Sequence, residues 1–327
     1  MHTRTLRSTR AIGATPSAVA STLALLASAT LGACIPGRSN PADAEPPPVY
    51  TRSDTVAMFA PGVISTGDVF ASSFTPDGRT LYFTKATNDR SAMQIMQSRW
   101  SNGAWSPPTR APFSTGERQM DPHVAPDGKT LYFTAPRRRS ATSSEPDGDW
   151  DTWSTELREG GETTRLTSLV NSPENEMYPS STYDDVLFFG VRSRANPASK
   201  GEIRYWYKKV RTTPVPVPMG PDVTNPGNPF ITPDGRVLIV SASGKASRGR
   251  ADLFVLVRGG DGRWSAPRNL GMEVNRGDTE FCPSITPDGQ QLFFSRIRYD
   301  GERVLGNDIY VVPVSSVPVL REAMAGR

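Results

Sequence analysis

The stretch F-T-P-D-G-R-T-L-Y-F-T, Phe74 to Thr84, decides how this chain is read, because it returns. It comes back as V-A-P-D-G-K-T-L-Y-F-T at Val124 to Thr134, I-T-P-D-G-R-V-L-I-V-S at Ile231 to Ser241 and I-T-P-D-G-Q-Q-L-F-F-S at Ile285 to Ser295. A degenerate copy, S-T-Y-D-D-V-L-F-F-G, lies at Ser181 to Gly190. Pro presets a turn, Asp bonds the backbone that follows, and Gly takes a positive φ, so Pro-Asp-Gly reads as a hairpin between a first and a second strand. The second strand is apolar on both faces in every copy, as in Leu81-Tyr82-Phe83 and Leu187-Phe188-Phe189, which suits a strand covered on both sides.

The turn acids Asp77, Asp127, Asp184, Asp234 and Asp288 are spaced by 50, 57, 50 and 54 residues, room for four short strands and their turns per repeat. Third strands are expected at Gln94–Met96, Thr152–Ser154, Ile203–Trp206, Asp252–Val255 and Asp308–Val311. Fourth strands are expected at W-S-P-P from Trp105, W-S-A-P from Trp264 and Arg165–Thr167. This is the spacing of propeller blades, so the expected fold is an all-β propeller of five four-stranded blades, with six blades as the alternative. The last repeat ends near Val311-Val312-Pro313 without a fourth strand, whereas Val56 to Ile64 precedes the first repeat as a strand without a partner. A ring that leaves no blade incomplete predicts that this N-terminal segment finishes the final blade. The propeller is assigned to residues 51–315 and a C-terminal tail to 316–327.

With these residues in view, S-I-T-P-D-G-x-x-L-F-F-S followed by G-N-D-I-Y-V resembles the WD-type repeats of TolB-like propellers and of many bacterial surface proteins. The resemblance runs from about Val56 to Pro313. It departs in the third copy, which lacks Pro-Asp-Gly, and in the first, where Ser72 replaces the proline found at Pro122, Pro179, Pro229 and Pro283. TolB carries a separate α/β domain for which this chain is expected to have no room, so its part in the Tol system is not implied.

Residues 1–33 read as an export signal: Arg4, Arg7 and Arg10 precede an uncharged run from Ala11 to Ala33 that is too short and too interrupted to be a permanent span. The run ends in Leu31-Gly32-Ala33-Cys34, which resembles a lipobox; that resemblance implies a bacterial lipoprotein lipidated on Cys34. Ile35 rather than Asp follows, which by resemblance favours the outer membrane. Residues 34–50, with five prolines from Pro36 to Pro48, form the expected tether. Cys282 is the other cysteine and is expected to be a small buried hydrophobe.

The formal charge is +4, and three of those positive charges lie in the signal, so nothing suggests a nucleic-acid partner. One histidine, His123, remains after the signal, which argues against His-rich metal sites; no metal or cofactor is expected. His123 sits in a first strand, where a packed or channel-lining role competes with a catalytic one. Neither G-x-S-x-G nor a phosphate-binding loop is present. Glu176 and Glu280 each stand seven residues before the Pro of the turn position, with Gln119 equivalent in the second copy. First strands are innermost in a propeller, so Gln119, Asp121, His123, Glu176 and Glu280 are placed at the channel mouth, as a ligand site, as acid and base on a glycan, or as a hydrated rim.

Antiparallel order puts every Pro-Asp-Gly turn on one face and the longer loops between second and third strands on the other. Those loops are basic: Arg137, Arg138 and Arg139; Arg192, Arg194 and Lys200; Lys245, Arg248 and Arg250; Arg296, Arg298 and Arg303. The turn face is expected to be structural and the basic face to bind an anionic glycan, a phosphate-bearing lipid head or an acidic envelope protein. The leading function is therefore a monomeric, membrane-tethered binding or scaffolding module of the cell envelope. The alternative is a glycan-active hydrolase or lyase, a role that resembling propellers host.

Overall fold

Glu45–Arg327 forms one compact unit. The computed structural model describes residues 48–87, 91–115, 118–137, 150–196 and 199–326, all within it. They form a five-bladed, all-β propeller. Each blade begins with an innermost strand: Val69–Phe74, Met120–Val124, Asn175–Ser181, Val223–Ile231 and Thr279–Ile285. The apolar second strands lie next to them at Thr80–Ala86, Thr130–Pro136, Val186–Arg192, Val237–Gly244 and Gln291–Asp300. Leu81, Phe83, Leu131, Leu238, Ile239, Val240, Leu292, Phe293 and Phe294 are all fully buried there, because the neighbouring blades cover both faces.

The ring closes as the unpaired N-terminal segment predicts. Ala57–Met58 adds antiparallel to Arg303–Pro313, with Ala57 opposite Val311 and Met58 opposite Tyr310. Phe59 and Ile64 follow it into the core between the last and first blades. Tyr50, assigned to the tether from sequence, belongs to the propeller: its ring packs edge-on to Phe74 and Phe293 at centroid distances of 5.2 and 5.7 Å, and its hydroxyl donates to the Gly78 carbonyl at 3.1 Å. The supposed tail, 316–327, contains the helix Pro318–Ala325, whose Leu320 and Ala323 are buried against Val317 and the fourth and fifth blades.

Two further expectations are corrected in detail. The expected fourth strands are met in the first blade and displaced in the fourth. Ala104–Trp105 pairs the third strand Met93–Ser101 as the fourth in its sheet, beside a second short outer strand, Thr109–Arg110, whereas Trp264 makes a single bridge to Arg258 and the fourth strand there is Arg268–Asn269. The indoles of Trp105 and Trp264 seal blade junctions. The degenerate third turn keeps its geometry because Asp185 takes φ +61°, the place filled by Gly78, Gly128, Gly235 and Gly289 elsewhere. The turn acids act locally, Asp77, Asp127, Asp234 and Asp288 each accepting the peptide N–H two residues on at 2.8 to 3.1 Å.

Candidate functional site

The five innermost strands share a register slip at an equivalent place, between Phe70 and Ser73, Met120 and His123, Met177 and Ser180, Gly227 and Phe230, and Phe281 and Ser284. At each slip one residue takes a left-handed backbone: Ala71, Asp121, Tyr178, Asn228 and Cys282, with φ from 46° to 59°. A bulge of this kind re-aims a side chain, and here it gathers five dissimilar residues at the channel waist. The waist encloses about 40 Å³, enough for a few waters, and the Cys282 thiol lies 3.0 Å from Asn228 Oδ1 and 3.9 Å from Asp121 Oδ1. Bulges of this geometry cost energy, and side-chain staples across blades hold them. The Thr84 hydroxyl accepts the Asp121 N–H at 3.0 Å, Thr134 that of Tyr178 at 3.1 Å and Ser295 that of Ala71 at 3.1 Å. The closing Thr or Ser of the repeated phrase is thus the pin that fixes the next blade.

His123 fills a second staple position. Ser73 accepts the Val124 N–H at 2.9 Å, Ser180 accepts the Ile231 N–H at 3.0 Å, and His123 Nε2 accepts the Ser181 N–H at 2.9 Å. An accepting Nε2 leaves the proton on Nδ1 in the neutral ring, and burial pushes its pKa down to about 4. The imidazole does the work of a serine hydroxyl between two blades.

Glu176, Glu280 and Gln119 do not stand in the channel mouth. They are 1%, 0% and 5% exposed and line none of the described cavities. All three share one task. Gln119 Oε1 accepts the Thr115 N–H at 2.9 Å, Glu176 Oε2 the Ser172 N–H at 3.1 Å, and Glu280 Oε1 the Arg276 N–H at 3.4 Å, each tying down the loop four residues earlier. Burial raises both carboxyls to about 7, against the pull of the Ser172 donors on Glu176 and of Arg296 on Glu280. A neutral amide performing the same work as two carboxylates marks the position as a loop clasp rather than an acid–base pair.

The basic loops are partly spent inside the fold. Arg296 is buried, its Nε donating to Glu280 at 2.8 Å, so it is not a surface cation. Arg137 pairs with the buried Asp151 at 3.3 Å and Arg298 with the buried Asp308 at 3.3 Å. The Arg194 peptide N–H is held by Glu174 at 2.7 Å. Arg248 is exposed beside a shallow depression with Glu273. Arg138, Arg139 and Cys34 lie outside the described residues.

Arg192 and Arg250 are different: both line a cavity of about 370 Å³ on this face, beside Tyr178, Asn225, Thr279 and Tyr299. Tyr178 and Asn228 line both this cavity and the waist, so the two lie side by side. The sequence gives no warning of Asn225 and the tyrosines. The residue before each repeated proline was the available signal, since that is where the chain bulges inward. The turn face also carries a cavity, of about 250 Å³, among Phe74, Pro76, Val124, Tyr183 and Pro233.

No family model matches this sequence, and no curated protein matches it. Among solved structures the putative TolB from Agrobacterium tumefaciens is similar in fold, with 14% identity, a TM-score of 0.50, and coverage of 76% of this chain and 78% of that one. An alpha-L-arabinofuranosidase from Lactobacillus brevis gives 14% identity, a TM-score of 0.51, and coverage of 77% and 92%. A thermostable family-43 glycoside hydrolase gives 10%, 0.51, and coverage of 77% and 91%. The class so defined is a five-bladed β-propeller with TolB-like neighbours, and at these identities the likeness is one of fold alone.

Proposed function

We propose that this protein is a lipid-anchored binding module of the cell envelope, tethered through Cys34 to the outer membrane and offering its basic face to an envelope ligand that carries negative charge. The observation that carries this reading is the placement of the chain entry. Tyr50 is fixed against the Pro-Asp-Gly turns of the first blade, so the polypeptide joins the ring from the turn face. The opposite face holds the arginine-lined cavity.

Two features support export and anchoring: the signal-like residues 1–33 ending at Cys34, and the proline-rich segment that precedes the fold. Among the described residues no helix is long and apolar enough to cross a membrane. The glycan-active alternative draws no support from Glu176 and Glu280, whose carboxylates are committed to loop backbone and to Arg296.

The test is fractionation of the full-length protein and its Cys34→Ser variant. The wild type should remain with outer membranes after a carbonate wash, and the variant should appear in the soluble fraction. A variant that stays with the membrane removes the anchoring claim.

A further inference from the structure

We propose that the cavity between Arg192 and Arg250 binds an acidic sugar unit of an envelope polysaccharide, its carboxylate gripped by the arginines and its ring seated against the tyrosines. The proposal deepens, and rests on, the binding-module reading above.

The cations come first. Arg192 has no carboxylate partner among the described residues; its Nη1 donates to Asn225 Oδ1 at 3.3 Å. Arg250 pairs at 3.0 Å with Glu302, whose side chain is 93% exposed, a contact that water competes for and a ligand displaces cheaply. Its guanidinium stacks over Tyr299 at 4.2 Å from the ring centroid, which fixes its plane while leaving donors at the edge. Two guanidinium forks at one cavity suit a planar carboxylate, which each can hold through paired N–H donors.

The walls favour a sugar over a bare anion. At about 370 Å³ the cavity suits a residue or two of a saccharide rather than a single ion. Tyr178, Phe281 and Tyr299 give aromatic surface for the C–H face of a pyranose, while Asn225 and Thr279 offer donors and acceptors to its hydroxyls. Two glycines lie against the Tyr178 ring. A Cβ on Gly227 would sit 3.8 Å from Arg192 Nη2 and 3.9 Å from the Tyr178 ring, and one on Gly190 would come within 3.2 Å of that ring. The innermost strand of the fourth blade slips register a second time, between Thr224 and Gly227, and turns Asn225 (φ +54°) out to the exposed rim. Other copies supply no structural reason for Arg192, whose counterparts in the second strands are Ala86, Pro136, Ser243 and Ile297.

The experiment is calorimetric titration of the full-length, detergent-solubilised protein with short uronate oligosaccharides cut from alginate. Neutral dextran oligosaccharides of equal length, an acidic peptide and anionic lipid vesicles serve as comparison probes. Arg192→Ala and Arg250→Ala should each weaken uronate binding about tenfold, as expected for loss of a charge-assisted contact, and together about a hundredfold. Lys209→Ala, a cation paired with the turn residue Asp185 and outside the cavity, should bind as wild type. Arg192→Lys keeps the charge without the fork and should lose part of the affinity, which guards against a misfolded alanine variant. Binding should weaken with salt.

Uronate binding unchanged in the double variant, equal loss in Lys209→Ala, or equal binding of dextran would each overturn the site. So would arginine-dependent binding of the peptide or the vesicles with none of the uronate. Because anchoring is read by fractionation of Cys34→Ser, a failure here leaves the anchored-module reading separately standing or falling.

Discussion

Replacing Glu176 by glutamine should make the propeller more stable above neutral pH and leave it nearly unchanged in mild acid. The carboxyl is 1% exposed and its partners are the backbone N–H and hydroxyl of Ser172, so ionisation places a charge in the blade junction with no cation bonded to it among the described residues. Burial raises its pKa from 4.5 to about 7. A folded-state pKa above the unfolded value means that the native protein holds the extra proton, so the contribution to stability is complete below pH 4.5 and is lost as pH rises through 7. At about 1.4 kcal/mol per unit this comes to roughly 3–4 kcal/mol. Glutamine keeps the acceptor and carries no charge, and Gln119 already clasps Thr115 in this way at 2.9 Å. Thermal unfolding followed by circular dichroism from pH 5 to 8 should give a variant-minus-wild-type difference near zero at the acid end that grows to about 5 °C at the alkaline end. Taking the difference cancels His123 and Glu280, which titrate in both proteins. A difference that stays flat across the range would refute the argument that Glu176 is buried as a neutral acid.

His123→Ser should cost about 1–2 kcal/mol at pH 7 through the longer reach to the Ser181 N–H, and should blunt the acid sensitivity of the fold. With its pKa depressed to about 4, the wild-type histidine stabilises above pH 6.5 and loses that contribution as pH falls toward 4, which denaturant titrations at pH 4.5 and 7 will measure. Deleting residues 50–66 should cost several kcal/mol, because it removes the closing strand together with the buried Phe59 and Ile64; an unchanged melting temperature would contradict the closure described here. Cys34→Ser should release the protein from membranes, and the Arg192 and Arg250 variants should lose uronate binding in the pattern given above.

The fold was legible because its information is repeated and local. Pro-Asp-Gly followed by an apolar strand states a hairpin and its burial in a single phrase, and five copies at blade spacing state the ring. Closure by Ala57–Met58 was legible from bookkeeping, since one strand was missing at one end and one was spare at the other. The site was less so. Charge along the chain suggested a basic face, but sequence does not say that Arg296 turns inward to Glu280 while Arg192 and Arg250 turn to a cavity; a two-residue alternation in a twisted strand decides that, and bulges shift it. Glu176 and Glu280 looked like a pair at the channel because they sit on innermost strands, yet both are buried and bonded to the backbone of the preceding loops.

Internal repetition offers a control that a single-copy fold lacks. Where equivalent positions in three or more blades share a chemical task, the task belongs to the ring: the staples of Thr84, Thr134 and Ser295, the clasps of Gln119, Glu176 and Glu280, the turn acids. Where equivalent positions have the same backbone and unlike side chains, the backbone serves the ring and the side chain is left free to differ. The waist residues Ala71, Asp121, Tyr178, Asn228 and Cys282 are such a set, and Arg192 stands among Ala86, Pro136, Ser243 and Ile297 in another. Asymmetry in an otherwise fivefold hub is concentrated between the third, fourth and fifth blades, where the arginine-lined cavity meets the channel. A ligand recognised there would touch three blades at once, so its binding should stiffen the ring across junctions that the staples alone hold, coupling occupancy to the stability of the whole fold.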